Sequence, residues 1–227
     1  RVYGHGWILS DDKKMSKSLG NILDPIEIIN NFGVDQLRYY LSKEVSLGND
    51  GNISLKNLTN CINNDLANNY GNLCQRVFAF INKNCNSKIP SCNKLEEDDK
   101  KLNNQITESL SELRNLMDNQ ELNQYLKKVI NISFNANKYF NDQKPWSLKE
   151  KNSERMNTIL YVILNQIRSI SVLLNPIIPK ATEKVLSTLS VGKADINIDS
   201  LKDTKILKVG TILKKSDILF KKVENDN

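Results

Sequence analysis

The chain divides by the way its apolar residues recur. From Leu55 onward, Leu55, Leu58, Ile62, Leu66, Leu73, Val77 and Phe80 are separated by three residues, four, or sums of these. That is the stripe of one long amphipathic helix, which a loop around Pro90 should end. The period returns in Leu102, Ile106, Leu110, Leu113 and Leu116, and again in Leu122, Tyr125, Val129, Ile132, Ala136 and Phe140. Lys144-Pro145 stops that helix, because proline lacks an N–H and disfavours helix in the residue before it. A fourth stripe, Ile159, Val162, Ile163, Ile167, Ile170 and Leu174, is closed by Pro176 and Pro179. A further helix is expected from Lys180 to Leu189. Consecutive amphipathic helices on short connections predict an antiparallel bundle.

Either side of this region the pattern changes. Trp7-Ile8-Leu9-Ser10 reads as a short strand closed by the turn-forming pair Asp11-Asp12, with a polar loop from Lys13 to Asn21 behind it. Asp24 is placed to cap a helix that has Pro25 at its first position. A second short helix is predicted over Val34 to Ser42, and Leu47 to Ser54 reads as a turn-rich linker. After Val191, short apolar runs such as Ile206-Leu207, Ile212-Leu213 and Ile218-Leu219-Phe220 alternate with lysines, as in an extended tail that packs back on the protein. The expected fold is mainly α. A small α/β segment (1–48) precedes an antiparallel helix bundle (49–190) and a C-terminal tail (191–227).

Composition narrows the function classes. With 227 residues, 39% hydrophobic and 26% charged, the chain can bury a sizeable core and is not a disordered segment. No stretch approaches the roughly 20 apolar residues that a membrane span needs. No secretory signal opens the chain, and neither does Met, so the interior or C-terminal part of a longer polypeptide is expected. Cys61, Cys74, Cys85 and Cys92 form no CxxC pair, and the single histidine, His5, lies far from them. The reading is reduced structural thiols, an intracellular setting and no metal site. The formal net charge of +6 is compatible with an RNA partner but does not select one. Trp7 is assigned to the core.

Chemistry concentrates in Lys14-Met15-Ser16-Lys17-Ser18, in the polar loop after the first strand. Two lysines separated by two small or flexible residues can bring two ammonium groups to one polyphosphate, and hydroxyls and backbone N–H groups can add hydrogen bonds. Such a loop stabilises charge building on a pyrophosphate leaving group without covalent chemistry. On charge pattern alone, a solvated lysine loop is the favoured reading of these residues.

The run resembles the KMSKS signature of class I aminoacyl-tRNA synthetases. The similarity continues through Gly20-Asn21-Ile22-Leu23-Asp24-Pro25 and Phe32-Gly33-Val34-Asp35-Gln36-Leu37-Arg38, where Gln36 stands in place of the usual alanine. Within that class, Leu47 to Ser54, the stretch Asn68 to Arg76 and the pair Pro145-Trp146 resemble the methionyl-tRNA synthetases.

That resemblance implies a Lys14–Ser18 loop over the ATP phosphates, with Lys14 and Lys17 favouring the transition state of adenylate formation. It also implies a bundle that reads the CAU anticodon of tRNA(Met) through Asn72, Arg76 and Trp146. Asn72 and Trp146 would face the first base and Arg76 its neighbours. The spacing is compatible. Asn72 and Arg76 are four apart, each one residue from the core stripe, so both can reach the bundle's edge. An amide, a guanidinium and an aromatic suit the edges and faces of splayed bases. The implied substrates are methionine and ATP with Mg2+, in the cytoplasm. His5 cannot supply the His-Ile-Gly-His signature of the class, so the chain alone is expected to be inactive, with its catalytic N-terminal domain elsewhere. A non-catalytic RNA-binding module, a class I enzyme for valine or cysteine, and a plain helical scaffold are the alternatives.

Overall fold

The computed structural model describes residues 6–10, 12–215 and 217–224; His5 and Asp11 lie outside them. The chain opens on a three-stranded sheet built on β1 (Ile8–Ser10). The strand β2 (Lys13–Lys14) pairs with β1 antiparallel, Leu9 opposite Lys14, and β3 (Gly51–Ile53) pairs with it parallel, Leu9 opposite Asn52. β3 lies inside the stretch read as a linker, so the small sheet takes its third strand from across the 1–48 boundary. Gly51 is needed there, since a Cβ would lie 2.5 Å from Val45 Cγ2. The Asn52 amide and the Asp12 carboxylate then tie the turn to the sheet at 2.7 Å.

Between β2 and β3 run α1 (Pro25–Phe32) and α2 (Val34–Glu44). Asp24 caps α1 as its sequence predicts, its carboxylate accepting from the Ile26 N–H at 2.8 Å. The long helix that follows has three parts: α3 (Leu55–Cys61), a π-helical stretch over Ile62–Gly71, and α4 (Asn72–Asn84). The bundle continues with α5 (Glu97–Asp118), α6 (Leu122–Gln143) and α7 (Ser153–Leu174), and α8 (Pro179–Thr188) crosses its end. Pro179 therefore opens α8 rather than closing α7. The predicted stripes are buried, except that Leu55 is exposed and Phe80, Leu116 and Leu122 are only half-buried; Phe78 and Ile81 carry the end of the long helix instead. In an α-helix that face passes through Tyr70, which the π turns keep fully buried between Leu66 and Leu73.

One expectation is corrected here. α7 is 22 residues with a mean hydropathy of 1.3 over its most apolar stretch, long and apolar enough by length and composition to cross a membrane. It is instead the central helix of the bundle, with 94% of that stretch buried.

α2 is fastened to the α7–α8 corner by opposite charges at opposite helix ends. Asp35 accepts from the Ala181 N–H, in the first turn of α8, at 2.7 Å. Arg38, one turn along, donates to the carbonyls of Pro176 and Ile177, just past the end of α7, at 2.8 and 2.7 Å. Each group meets the helix pole of the opposite sign. The other Asp35 oxygen is buried without a partner, and burial raises its carboxyl pKa despite the hydrogen bond.

The tail returns over the bundle. Leu201, Leu207, Leu213 and Phe220 are buried, whereas Ile212 and Ile218 face out. Arg168 of α7 donates to the Asp203 carbonyl at 2.8 Å, and Tyr161 to that of Leu207 at 2.9 Å. The Asn63 side chain closes a two-way amide pair with the Val223 backbone, both bonds 2.8 Å.

The first turn of α5 holds a buried ion pair. Asp99 caps the Glu96 N–H at 2.8 Å, accepts from the Tyr139 hydroxyl, and receives both terminal nitrogens of Arg155. Burial favours its neutral form, but these donors outweigh burial and hold the carboxyl below the usual range. Because the folded pKa is depressed, the stabilisation is complete above the unfolded value of about 4 and is lost as pH falls through the lower, folded one. Arg155→Ala leaves a buried unpaired carboxylate and should cost about 3–5 kcal/mol in urea unfolding at pH 7. In that variant part of the loss should return as pH falls from 7 to about 4.5, a range over which Asp99 leaves the parent protein's stability unchanged, because protonation then relieves the stranded charge.

Candidate nucleic-acid interface

The lysine loop is ordered by its small residues. Ser16, two residues past β2, caps a single 3-10 turn, Lys17–Leu19, accepting from the Leu19 N–H at 3.2 Å. Its own N–H donates to Asn21, whose amide returns to the Lys14 carbonyl at 3.2 Å. The Ser16 and Ser18 hydroxyls are 3.1 Å apart. Gly20 turns the chain out at φ +64, a left-handed conformation that L side chains rarely adopt. Met15 packs on the core, while Lys14 and Lys17 are exposed. Trp7 is not in the core: it is 62% exposed, and the Lys14 ammonium sits 4.4 Å from its ring centroid. A strand of three residues covers too little surface to bury an indole at its edge, so a cation–π contact holds the ring instead.

Arg76 and Trp146 are brought to one place by Phe140, with Asn72 one turn before Arg76 on the long helix. Asn72 opens α4 and Arg76 lies one turn on, both half-buried at the bundle's edge. Arg76 donates to Asn141 at 2.8 Å and lies 5.3 Å over the Phe140 ring. Trp146 follows Pro145 on a 3-10 turn that Lys144 enters at φ +44. It remains 46% exposed and meets Phe140 edge-on, centroids 5.8 Å apart. Phe140 is thus a shared base under the guanidinium and the indole. Among the described residues the Asn72 amide makes no hydrogen bond, which leaves its donors and acceptor available.

Asn72 and Arg76 line one end of an open groove of about 650 Å³ between the long helix and α6; Trp146 is not part of its lining and adjoins that end through Phe140. Asn64, Asn68, Asn72 and Arg76 form one wall at steps of four; Lys127, Asn131, Phe134, Asn137 and Asn141 form the other. None of the lysine-loop residues lines it. Its floor is set by Asn69. The Asn69 side chain accepts from Ser133 at 2.9 Å and from Asn137 at 3.0 Å, and donates to the Ile130 carbonyl at 3.3 Å. The opposite end closes on α2, where Lys43 pairs with Asp65 at 2.6 Å and Tyr39 donates to the same carboxylate at 2.8 Å. Burial works against the Lys43 charge, but the Asp65 hydrogen bond prevails and raises its pKa. The α6 wall escaped the sequence reading. Its signal was an aromatic, Phe134, off the apolar stripe and flanked by asparagines at helical spacing.

No three His, Cys, Asp or Glu side chains cluster as metal ligands among the described residues. The four thiols are free, and burial pushes Cys61 up to about 12 and raises the other three as well.

Two family models divide the chain. The first, class I tRNA synthetases (M), matches residues 1–78, and the second, the anticodon-binding domain of methionyl-tRNA ligase, matches residues 89–227. The chain belongs to the methionyl-tRNA synthetase family. It is 41% identical over 191 residues to a methionine–tRNA ligase of Brucella suis, covering 84% of this chain and 37% of that protein. A Rickettsia felis methionine–tRNA ligase is 38% identical over 231 residues, covering 99% and 44%. The methionyl-tRNA synthetase of Mycobacterium tuberculosis, solved in complex with methionyl-adenylate, superposes with a TM-score of 0.90 at 33% identity over 97% of this chain and 44% of that one. The chain therefore spans less than half the length of the methionyl-tRNA synthetases it matches.

Gly71, at the junction from π turns to α4, fixes where the Asn72–Arg76 wall begins. An added Cβ would lie 2.8 Å from the Leu66 carbonyl oxygen, five residues back, and 3.3 Å from Phe220. In an ordinary helix, glycine to alanine gains about 1 kcal/mol. Here the obstacle is backbone, so Gly71→Ala should instead destabilise the protein by about 1–2 kcal/mol in urea unfolding.

Proposed function

We propose that this chain is the KMSKS-loop and anticodon-reading part of a methionine–tRNA ligase. In the first step of that reaction, the methionine carboxylate attacks the α-phosphorus of ATP, and pyrophosphate leaves. In the second, a ribose hydroxyl at the 3′ end of tRNA(Met) attacks the adenylate's carbonyl carbon, and AMP leaves. Mg2+ would enter with the polyphosphate as part of the substrate. The proposed setting is the cytoplasm. Residues 1–48 would serve the first step, residues 49–190 the tRNA, and 191–227 would brace the bundle.

The observation that carries this reading is the Arg76–Phe140–Trp146 cluster, with the unbonded Asn72 amide one turn before Arg76. Trp146 offers an exposed face for a base, Asn72 can give and accept one hydrogen bond each at a base edge, and Arg76 adds donors and positive charge. The Mycobacterium tuberculosis relative, solved with methionyl-adenylate, supports the reaction class. At the other site, Lys17 is exposed and unpaired among the described residues, while Lys14 must leave the Trp7 face to meet a phosphate. Both are proposed to act on charge that develops as pyrophosphate departs.

Two measurements test the two halves. At one fixed salt concentration, the chain should bind an anticodon stem-loop carrying CAU at least tenfold more tightly than one altered at the first base. Trp146→Ala should abolish that preference. Equal, salt-sensitive binding to both RNAs would reduce the surface to a basic one and return the RNA-module reading. For the loop, Lys17→Ala in the full-length ligase should lower kcat for adenylate formation by about 10²-fold or more with little change in the KM for ATP. A loss confined to KM would assign Lys17 to ground-state binding alone.

A further inference from the structure

Phe134 is 60% exposed, yet it stands inside the groove rather than on an outer face. It interrupts a polar line on α6 (Lys127, Asn131, Asn137 and Asn141), all within three or four residues of their neighbours and so on one side of that helix. Among the described residues no other ring packs on it; its apolar neighbour in the groove is Ile130, one turn back and half-buried against the core, so most of the Phe134 ring stays open. Lys127, two turns before Phe134 and about 10 Å along the groove, is exposed and has no anionic partner among the described residues. Among the described residues that line the groove the one carboxylate, Asp65, is spent on Lys43 and Tyr39. The groove therefore offers amides, one unpaired ammonium, one guanidinium and one bare ring. That combination fits unpaired RNA: the ring for a base face, the amides for base edges and sugar hydroxyls, and the cations for phosphates.

We infer that Phe134 is a second stacking platform, carrying a base of the anticodon loop next along from those held at Trp146, with Lys127 on the adjoining phosphate. The proposal rests on the anticodon reading above and extends it to the α6 wall. Phe134 and Asn141 are seven residues apart on one helix, so about 10 Å of groove separates the Phe134 ring from the Arg76 end. Unpaired nucleotides bridge that span, whereas a paired stem has no exposed base face to give. The Asn69–Ser133–Asn137 hydrogen bonds fix the height of this wall and hold the ring where a base can reach it.

The test uses this chain with CAU stem-loops that carry 2-aminopurine at successive loop positions. Stacking on Phe134 should quench one position outside the one that responds to Trp146, and Phe134→Ala should remove that quench and weaken binding about tenfold. Phe134→Tyr should restore both, and the salt dependence of binding should not change. Lys127→Ala should leave the quench and reduce the salt slope by about one. Because Phe134 is exposed, its loss should not alter the urea midpoint, which separates a binding role from a structural one. If Phe134→Ala changes neither quench nor affinity while Trp146→Ala still abolishes CAU preference, the second platform is wrong and the anticodon reading stands. If neither variant changes binding, both fall.

Discussion

The arrangement of the two sites depends on how α2 grips the α7–α8 corner. Asp35 and Arg38 lie one turn apart, and the chain presents them with a helix start and a helix end side by side. The carboxylate takes an N–H that α8 cannot satisfy internally, and the guanidinium takes carbonyls that α7 has finished with. A neutral pair would satisfy the same groups less firmly, because hydrogen bonds to charged groups are about twice as strong as neutral ones. The cost is visible in the buried, unpartnered oxygen of Asp35. Through this grip, the sheet that carries the lysine loop is set against the bundle that carries the groove.

A second constraint runs down the long helix. Asp65 ties it to α2, Asn63 to the tail, and Asn69 to α6, all within the π-helical stretch. Polar side chains inside a helix ordinarily have little to do there. Here they are the rivets between the helix and three neighbours, and the residues just beyond them are those proposed to meet RNA. The same ten residues thus serve packing on one side and prepare the groove on the other.

Much of this was legible in the sequence. The helices α5 to α8 announced themselves by three- and four-residue spacing, Asp24 by its place before Pro25, and Asn72 and Arg76 by standing one residue off the core stripe. What escaped was non-local. β3 is three residues of Gly-Asn-Ile, indistinguishable from a turn until β1 is brought beside it. Trp7 looked like a core residue because size and aromaticity favour burial, but no element covers that edge of the sheet. The α6 wall was hidden because asparagines read as ordinary solvent-facing residues until the opposite wall is known. α7 is buried on all sides although it carries Asn165, Gln166 and Arg168, because helices and the returning tail surround it, which the sequence of α7 alone does not reveal.

The π turns have a consequence for what the sequence is free to do. Where each backbone bond reaches five residues back, a helix carries more residues per turn than its α-helical flanks, and so changes the rotational phase of everything after it. Ile62–Gly71 therefore acts as a gear between the end anchored on α2 and the end that lines the groove. Adding or removing one residue there would swing Asn72 and Arg76 by about 100°, away from α6, with every side chain unaltered. The groove wall is specified by the length of a stretch as much as by the residues that line it.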